Sequence, residues 1–135
     1  DDMGLAGAVN FHGARDHAEI ADLIRQTDIF LAPSMTSAIG GQDAPVNTLK
    51  EAMAIGRPVI GTHHGGIPEL VIEDETGALA AEGDVDSLYE AIKRLTLNRP
   101  NWPVLTRQAR TKVEAMYALD SCTNQLIRHY ENSLT

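Results

Sequence analysis

Residues 28–62 read DIFLAPSMTSAIGGQDAPVNTLKEAMAIGRPVIGT, and this stretch decides the fold. An apolar run at 29–32 leads into a polar, glycine-containing loop over 35–44. In the helical segment that follows, Pro45 suits the first helical position and Gly56 ends the helix. A second apolar run begins at Val59. Strand, loop, helix and strand in this order predict a parallel sheet, and the unbroken apolar runs predict strands that are buried on both faces.

The rest of the chain repeats this alternation, and we expect further strands at 8–11 and 76–80, the second at a sheet edge. We expect a helix over 17–27 and a helix start at 67–71. A further helix should carry Leu88 and Leu95, with Asp84 or Asp86 as its cap. Two more helical segments, near 105–116 and 126–130, are expected after a boundary at Trp102. The prediction is an α/β fold with an incomplete doubly wound, Rossmann-like parallel sheet. We expect a single partial domain over 1–135, with C-terminal helices from about 103.

Composition narrows the function classes. The chain has 135 residues, with 11 Lys and Arg against 19 Asp and Glu, so its formal net charge is −8. Because this charge repels polyanions, we predict no nucleic-acid partner. Cys122 is the only cysteine, and we expect it to fill a small buried apolar space in a terminal helix. With no apolar run of ~18 residues, we predict a cytoplasmic protein whose full-length form lies at the periphery of the inner membrane. The start at Asp1, without an initiator Met, predicts a piece of a longer chain.

The loop after the first apolar run is the richest candidate site. In open α/β sheets, ligands bind outside the carboxyl ends of the strands, and connections this long are usually functional. The loop enters a helix whose first N–H groups, those of Val46, Asn47 and Thr48, form an anion site suited to a phosphate or diphosphate. Asp43 and Glu51 bracket this helix start, with seven residues between them. Carboxylates suit the vicinal hydroxyls of a sugar or ribose ring.

A second interpretation of these acids stays open from spacing alone. Every α/β protein has such helix starts and most of them bind nothing. Asp43 would then merely cap the helix, and Glu51 would be solvated beside Lys50.

The histidines are weaker candidates. Adjacent residues on an extended chain point in opposite directions and no third ligand accompanies them, so we expect His63 and His64 to be polar loop residues rather than metal ligands. His12 and His17 flank the first loop, where we expect solvated surface positions.

Three motifs stand in register after the long loop: Glu51-Ala52-Met53-Ala54, Gly56-Arg57-Pro58-Val59 and Gly65-Gly66-Ile67-Pro68-Glu69. With them, the sequence from about Val9 to the end resembles the C-terminal domain of family-4 retaining glycosyltransferases, which have the two-Rossmann-domain GT-B fold. The resemblance implies that the chain binds a nucleotide-diphosphate sugar. It also implies transfer of a hexose to a glycan or lipid-linked acceptor, with no metal or other cofactor.

The same resemblance assigns roles to individual residues. In this family, two acids separated by seven residues lie across the bound sugar nucleotide, and Asp43 and Glu51 hold those positions here. Asp43 would be the catalytic residue beside the transferred sugar, and Glu51 would hold the ribose hydroxyls. The other implied donor-binding residues are Gly41, Ala44, Pro45, Val46 and Asn47, with the backbone N–H groups between the two acids facing the diphosphate. The loop around Gly13, Ala14 and Arg15 would lie near the nucleobase.

The sequence also departs from the family pattern. Asp43 is one methylene shorter than the usual Glu, and Ala44-Pro45-Val46 replace a frequent Gly-aromatic-Gly. The family's first strand, helix and strand, which supply an Arg/Lys pair, have no counterpart before Val9, and the N-terminal Rossmann domain is missing too. We therefore expect the isolated chain to be inactive as a transferase. A homodimer through the exposed sheet edge is expected to cover that edge. The alternative function is a truncated, non-catalytic binding or assembly module.

Overall fold

The structure is a computed structural model that describes residues 4–41 and 46–133. The strands are β1 (Phe30–Leu31), β2 (Val59–Thr62) and β3 (Ala78–Ala80). The helices are α1 (His17–Gln26), α2 (Asn47–Ile55), α3 (Ile67–Leu70), α4 (Val85–Leu97), α5 (Trp102–Tyr117) and α6 (Leu119–Ser133). A short 3-10 helix, Arg99–Asn101, joins α4 to α5.

The strands in the described part of the chain form one parallel sheet in the order β1-β2-β3. Phe30 lies opposite Val59 and Leu31 opposite Ile60, while Ile60 lies opposite Ala78 on the other side. Crossover helices α2 and α3 connect these neighbours, because parallel strands cannot be joined by a tight turn. The predicted parallel sheet is confirmed.

Helices cover both faces of this sheet. Val59 packs with residues of α1, α2, α3 and α5 on one face. Ile60, the next residue of β2, packs with residues of α4 on the other face, because successive side chains of a strand point to opposite sides. Both side chains are fully buried. The predicted α/β, doubly wound, Rossmann-like fold is confirmed.

Local sequence signals set the helix ends. Asp16 Oδ1 accepts the Glu19 N–H at 2.9 Å, and Glu19 Oε2 accepts the Asp16 N–H at 3.1 Å, which makes a capping box at the start of α1. Gly56 ends α2 in the left-handed conformation, with φ 87°, as predicted. Of the two candidate caps for α4, Asp84 is the one used: its Oδ1 accepts the Ser87 N–H at 2.9 Å.

Two strand predictions are wrong. Residues 8–11 form no strand, and Phe11 is 95% exposed. Among the described residues they have no neighbouring strand to pair with, and an unpaired strand is not stable in water. β1 is not buried on both faces either: within 4–41 and 46–133 it pairs with β2 alone, and Leu31 is partly exposed.

The tail also differs from expectation. Cys122 is exposed rather than buried, since α6 contributes no buried residue to the core. None of the helices in the described ranges is long and apolar enough to span a membrane. Pro45, predicted as the first helical residue, lies outside the described residues; α2 is described from Asn47, with Val46 as its N-cap.

Candidate functional site

The connection between β1 and α2 forms a closed turn shortly before the helix. Ser37 N–H donates to the Gly41 carbonyl at 3.1 Å, and Gly40 N–H donates to the Ser37 carbonyl at 2.9 Å. Gly41 N–H donates to Ser37 Oγ at 2.9 Å. The N–H of Gly41, a predicted donor-binding residue, is thus engaged inside the turn in this conformation.

The start of α2 has the properties of an anion site. Val46, the N-cap residue, offers no side-chain acceptor to the helix. The N–H groups of Asn47 and Thr48, the first two helical residues, have no acceptor within the helix, whereas the Leu49 N–H donates to the Val46 carbonyl at 3.1 Å. The helix dipole adds positive charge there. Asn47 is exposed, and Val46 and Thr48 are half-buried. The structure therefore offers N–H donors at this point, at the carboxyl edge of the sheet.

Three predicted residues immediately before this helix are not described. Asp43, the expected catalytic residue, and Ala44 and Pro45, expected at the diphosphate, all lie outside the described residues. Their roles stay predictions.

Glu51 lies one turn into α2, beside the start of α1. It follows Asn47 by four residues, about 6 Å along the helix axis. Its side chain is 30% exposed, and its Oε1 is 3.9 Å from Nδ1 of His17, the first residue of α1. The Lys50 ammonium is engaged elsewhere, because it lies over the Tyr117 ring, 5.2 Å from the ring centre. Glu51 is thus partly sheltered between two helix starts.

The predicted nucleobase loop precedes α1. Gly13, with φ 66°, and Arg15 lie in an irregular segment. Arg15 Nη1 is 3.4 Å from Glu19 Oε1, and both residues line an open groove of about 220 Å³ together with His12. His17 connects this segment to Glu51. His12 and His17 are exposed, as expected, but the contact between His17 and Glu51 was not.

The sequence prediction missed a polar cluster at the same edge of the sheet. His64 follows β2 and is only 1% exposed, while its neighbour His63 is exposed. His64 Nδ1 is 3.1 Å from Oε2 of Glu82, which follows β3. The expectation that His64 is an ordinary polar loop residue is therefore wrong. The available signal was topological, because residues that follow adjacent parallel strands meet at one edge.

Glu82 also binds the segment after β1. Thr36 N–H donates to Glu82 Oε1 at 2.5 Å. Hydrogen bonds from the Thr36 backbone, the Thr36 hydroxyl and His64 lower the pKa of Glu82 from 4.5 to about 2, because each stabilises the carboxylate. Beside it, the Thr62 hydroxyl donates to the Ser34 carbonyl at 2.6 Å. Across 4–41 and 46–133, no three His, Cys, Asp or Glu side chains are grouped so that they could hold a metal ion.

Comparisons with known proteins agree with this architecture. The model of the Glycosyl transferases group 1 family matches residues 1–98. AmsK of Erwinia amylovora, an amylovoran biosynthesis glycosyltransferase, is 37% identical over 116 residues, which cover 86% of this chain and 28% of AmsK. WcaL of Escherichia coli K12, assigned to colanic acid biosynthesis as a glycosyltransferase, is 36% identical over 111 residues, 82% of this chain and 27% of WcaL.

A solved structure shows the same fold. Anabaena HepE in complex with UDP superposes with a TM-score of 0.85 and 22% sequence identity, covering 97% of this chain and 34% of HepE. The chain thus spans only 28% of AmsK and 34% of HepE. By the match of the family model and the identity to AmsK, the chain belongs to the glycosyl transferases group 1 family.

Proposed function

We propose that this chain is the donor-binding part of a retaining glycosyltransferase that transfers a hexose from a nucleotide-diphosphate sugar to a glycan or lipid-linked acceptor. The observation that carries the proposal is the start of α2, which presents N–H groups without a side-chain cap about one turn from the partly sheltered carboxylate of Glu51. A diphosphate matches the N–H groups, and a ribose matches the carboxylate.

The relatives support the choice of ligand. HepE, which shares the fold, has been solved with UDP and with UDP-glucose. AmsK is named for the biosynthesis of amylovoran. A nucleotide-sugar donor and a polysaccharide pathway are therefore proposed for this chain, and we further propose that it acts in the cytoplasm.

In the proposed complex, each group of the donor has its own partner. The diphosphate lies at the N–H groups of Asn47 and Thr48, and Glu51 accepts from the ribose hydroxyls. The base lies toward Arg15, and Asp43 contacts the transferred sugar. As the bond to the sugar breaks, negative charge grows on the departing diphosphate, and the positive end of α2 stabilises that charge.

We infer that the proposed reaction relies on positioning and electrostatic stabilisation and uses no metal. Binding fixes the anomeric carbon of the donor relative to the acceptor, which supplies part of the rate enhancement. The acceptor would be held by an N-terminal Rossmann domain, which faces the donor site in the GT-B arrangement.

A second candidate function is a non-catalytic binding or assembly module. The observation that favours it is one side of β1: among the residues that the structure describes, β1 pairs with β2 alone, and Leu31 is partly exposed. Such an edge can pair with a second copy. Sedimentation of the chain would then show a dimer, and no nucleotide would bind.

Calorimetric titration tests the first function. We expect UDP, GDP or ADP to bind at the start of α2, and the corresponding monophosphate to bind at least tenfold more weakly because one charged contact is lost. The free nucleoside would bind more weakly still. Equal affinities for diphosphate and nucleoside, or no binding of any nucleotide, would contradict the proposal.

A further inference from the structure

Glu82 joins the carboxyl ends of all three described strands through one carboxylate. Glu82 itself follows β3, its Oε2 lies 3.1 Å from Nδ1 of His64 after β2, and its Oε1 accepts the N–H of Thr36 after β1 at 2.5 Å. Thr36 and Glu82 are 46 residues apart in sequence. The contact is therefore long-range, and it fixes the position of the β1–α2 connection relative to the sheet.

The protonation of the cluster decides which group donates and which accepts in the bond between His64 and Glu82. The carboxylate is held ionised by its hydrogen bonds, with a pKa of about 2, so it acts only as an acceptor. Nδ1 of His64 must then carry the hydrogen that points at Oε2. His64 is 1% exposed, and its Nε2 has no hydrogen-bond partner among the described residues. Burial of the ring on one side and Thr36 on the other leaves Glu82 little freedom to move.

The segment held by Glu82 also closes on itself. Thr36 directly precedes Ser37, whose backbone and hydroxyl close the turn onto Gly41. Gly41 is the last described residue before the start of α2. A further side-chain bond holds the beginning of this connection, because the Thr62 hydroxyl donates to the Ser34 carbonyl at 2.6 Å.

We propose that Glu82 is a positioning residue for donor binding, which holds the segment 34–41 in place at the carboxyl edge of the sheet, where the donor is proposed to bind. This role rests on the proposed function, since it concerns the same site. Glu82 acts through Thr36 and the turn, and His64 orients it. The predicted consequence is that loss of Glu82 weakens nucleotide binding, whereas loss of a comparable carboxylate away from this edge lowers the stability of the fold alone.

Glu73 provides the matched control. Its Oε2 accepts the N–H of Leu79 in β3 at 2.7 Å, and its Oε1 pairs with Arg94. Glu73 is thus another carboxylate that accepts a backbone N–H, but it lies in the connection that enters β3 rather than at the carboxyl edge. Glu73→Ala removes the same kind of bond without touching the segment 34–41.

The experiment compares Glu82→Ala, Glu82→Gln and Glu73→Ala in three measurements: the dissociation constant of UDP, the melting temperature, and amide hydrogen exchange at Ser37 and Gly41. We expect Glu82→Ala to raise the UDP dissociation constant by about tenfold, the size of one charge-assisted hydrogen bond. Exchange at Ser37 and Gly41 should speed up while exchange in β2 does not. Glu82→Gln keeps one acceptor oxygen for Thr36 and should recover part of the affinity. Glu73→Ala should lower the melting temperature and leave UDP binding unchanged.

The outcomes separate this role from the proposed function. Unchanged exchange at Ser37 and Gly41 in Glu82→Ala, or faster exchange with unchanged UDP affinity, would overturn the positioning role alone. The same would follow if Glu73→Ala weakened UDP binding as much as Glu82→Ala does. A wild-type chain that binds no nucleoside diphosphate would overturn the proposed function, and the positioning role with it.

Discussion

Replacement of Glu51 by Ala should weaken the binding of UDP by removing the acceptor for the ribose hydroxyls. We expect the substitution to leave the fold intact, because the ion pair that Glu51 makes with His17 is 3.9 Å long and the His17 side chain is 81% exposed. Exposed pairs of this kind contribute only about 0–1 kcal/mol to stability. A change in affinity can therefore be assigned to the lost carboxylate rather than to unfolding.

The burial of Glu51 sets the size of the effect. Hydrogen bonds to charged groups contribute about 1.5–3 kcal/mol. The Glu51 side chain is 30% exposed, so water competes for part of its carboxylate, and the lower end of that range applies. A loss of about 1.5 kcal/mol corresponds to a dissociation constant that is about tenfold higher.

A double-mutant cycle with 2′-deoxy-UDP makes the assay specific for the ribose. Titration calorimetry would be run on wild type and Glu51→Ala with both nucleotides, and Glu131→Ala, an exposed acid on α6, is the control. If Glu51 holds the 2′-hydroxyl, each single change costs about tenfold, and both together cost about tenfold rather than a hundredfold. Additive losses, or a Glu51→Ala variant that binds UDP within twofold of wild type, would refute the ribose role.

Three further predictions concern the fold and the activity. The pKa of Glu82 is lowered from 4.5 to about 2, so its ionised form stabilises the folded state above pH 4.5, and this stabilisation is lost as the pH falls toward 2. The free energy of unfolding, measured with urea, should therefore fall more steeply between these pH values in wild type than in Glu82→Gln. Equal slopes for the two proteins would argue against this stabilisation. Gly77→Ala should lower the free energy of unfolding by about 1–3 kcal/mol, because a Cβ there would lie 2.7 Å from Val59 Cγ2 and 2.8 Å from the Val59 carbonyl oxygen; an unchanged melting temperature would count against this packing. The chain alone should transfer no sugar from UDP- or GDP-linked donors, and formation of any labelled glycoside would disprove that expectation.

Elements with local signals could be predicted from the sequence. Helix α1 has its apolar stripe and begins where Asp16 and Glu19 cap each other. Gly56 ends α2 because the left-handed backbone conformation at that position favours glycine. β2 could be located because an apolar run between two turn signals has few alternatives. In each case the determining residues lie within a few positions of the element itself.

Features that depend on distant residues could not be predicted in this way. The run at 8–11 looks like a strand, yet a strand exists only where another strand pairs with it. The pairing of His64 with Glu82 joins residues 18 positions apart, and the identity of one residue does not predict that the other lies beside it. Leu31 follows the pattern of a buried strand, but its exposure depends on where β1 lies in the sheet. Topology was the missing information for each of them.

A titration with UDP followed by amide chemical shifts tests the start of α2 as a diphosphate site most directly. We expect saturable shifts to be largest at the N–H groups of Asn47 and Thr48, with smaller shifts at Glu51 and at Gly13, and the same pattern at reduced size with UMP. Saturable shifts confined to other parts of the chain, with Asn47 and Thr48 unmoved, would show that the diphosphate binds elsewhere.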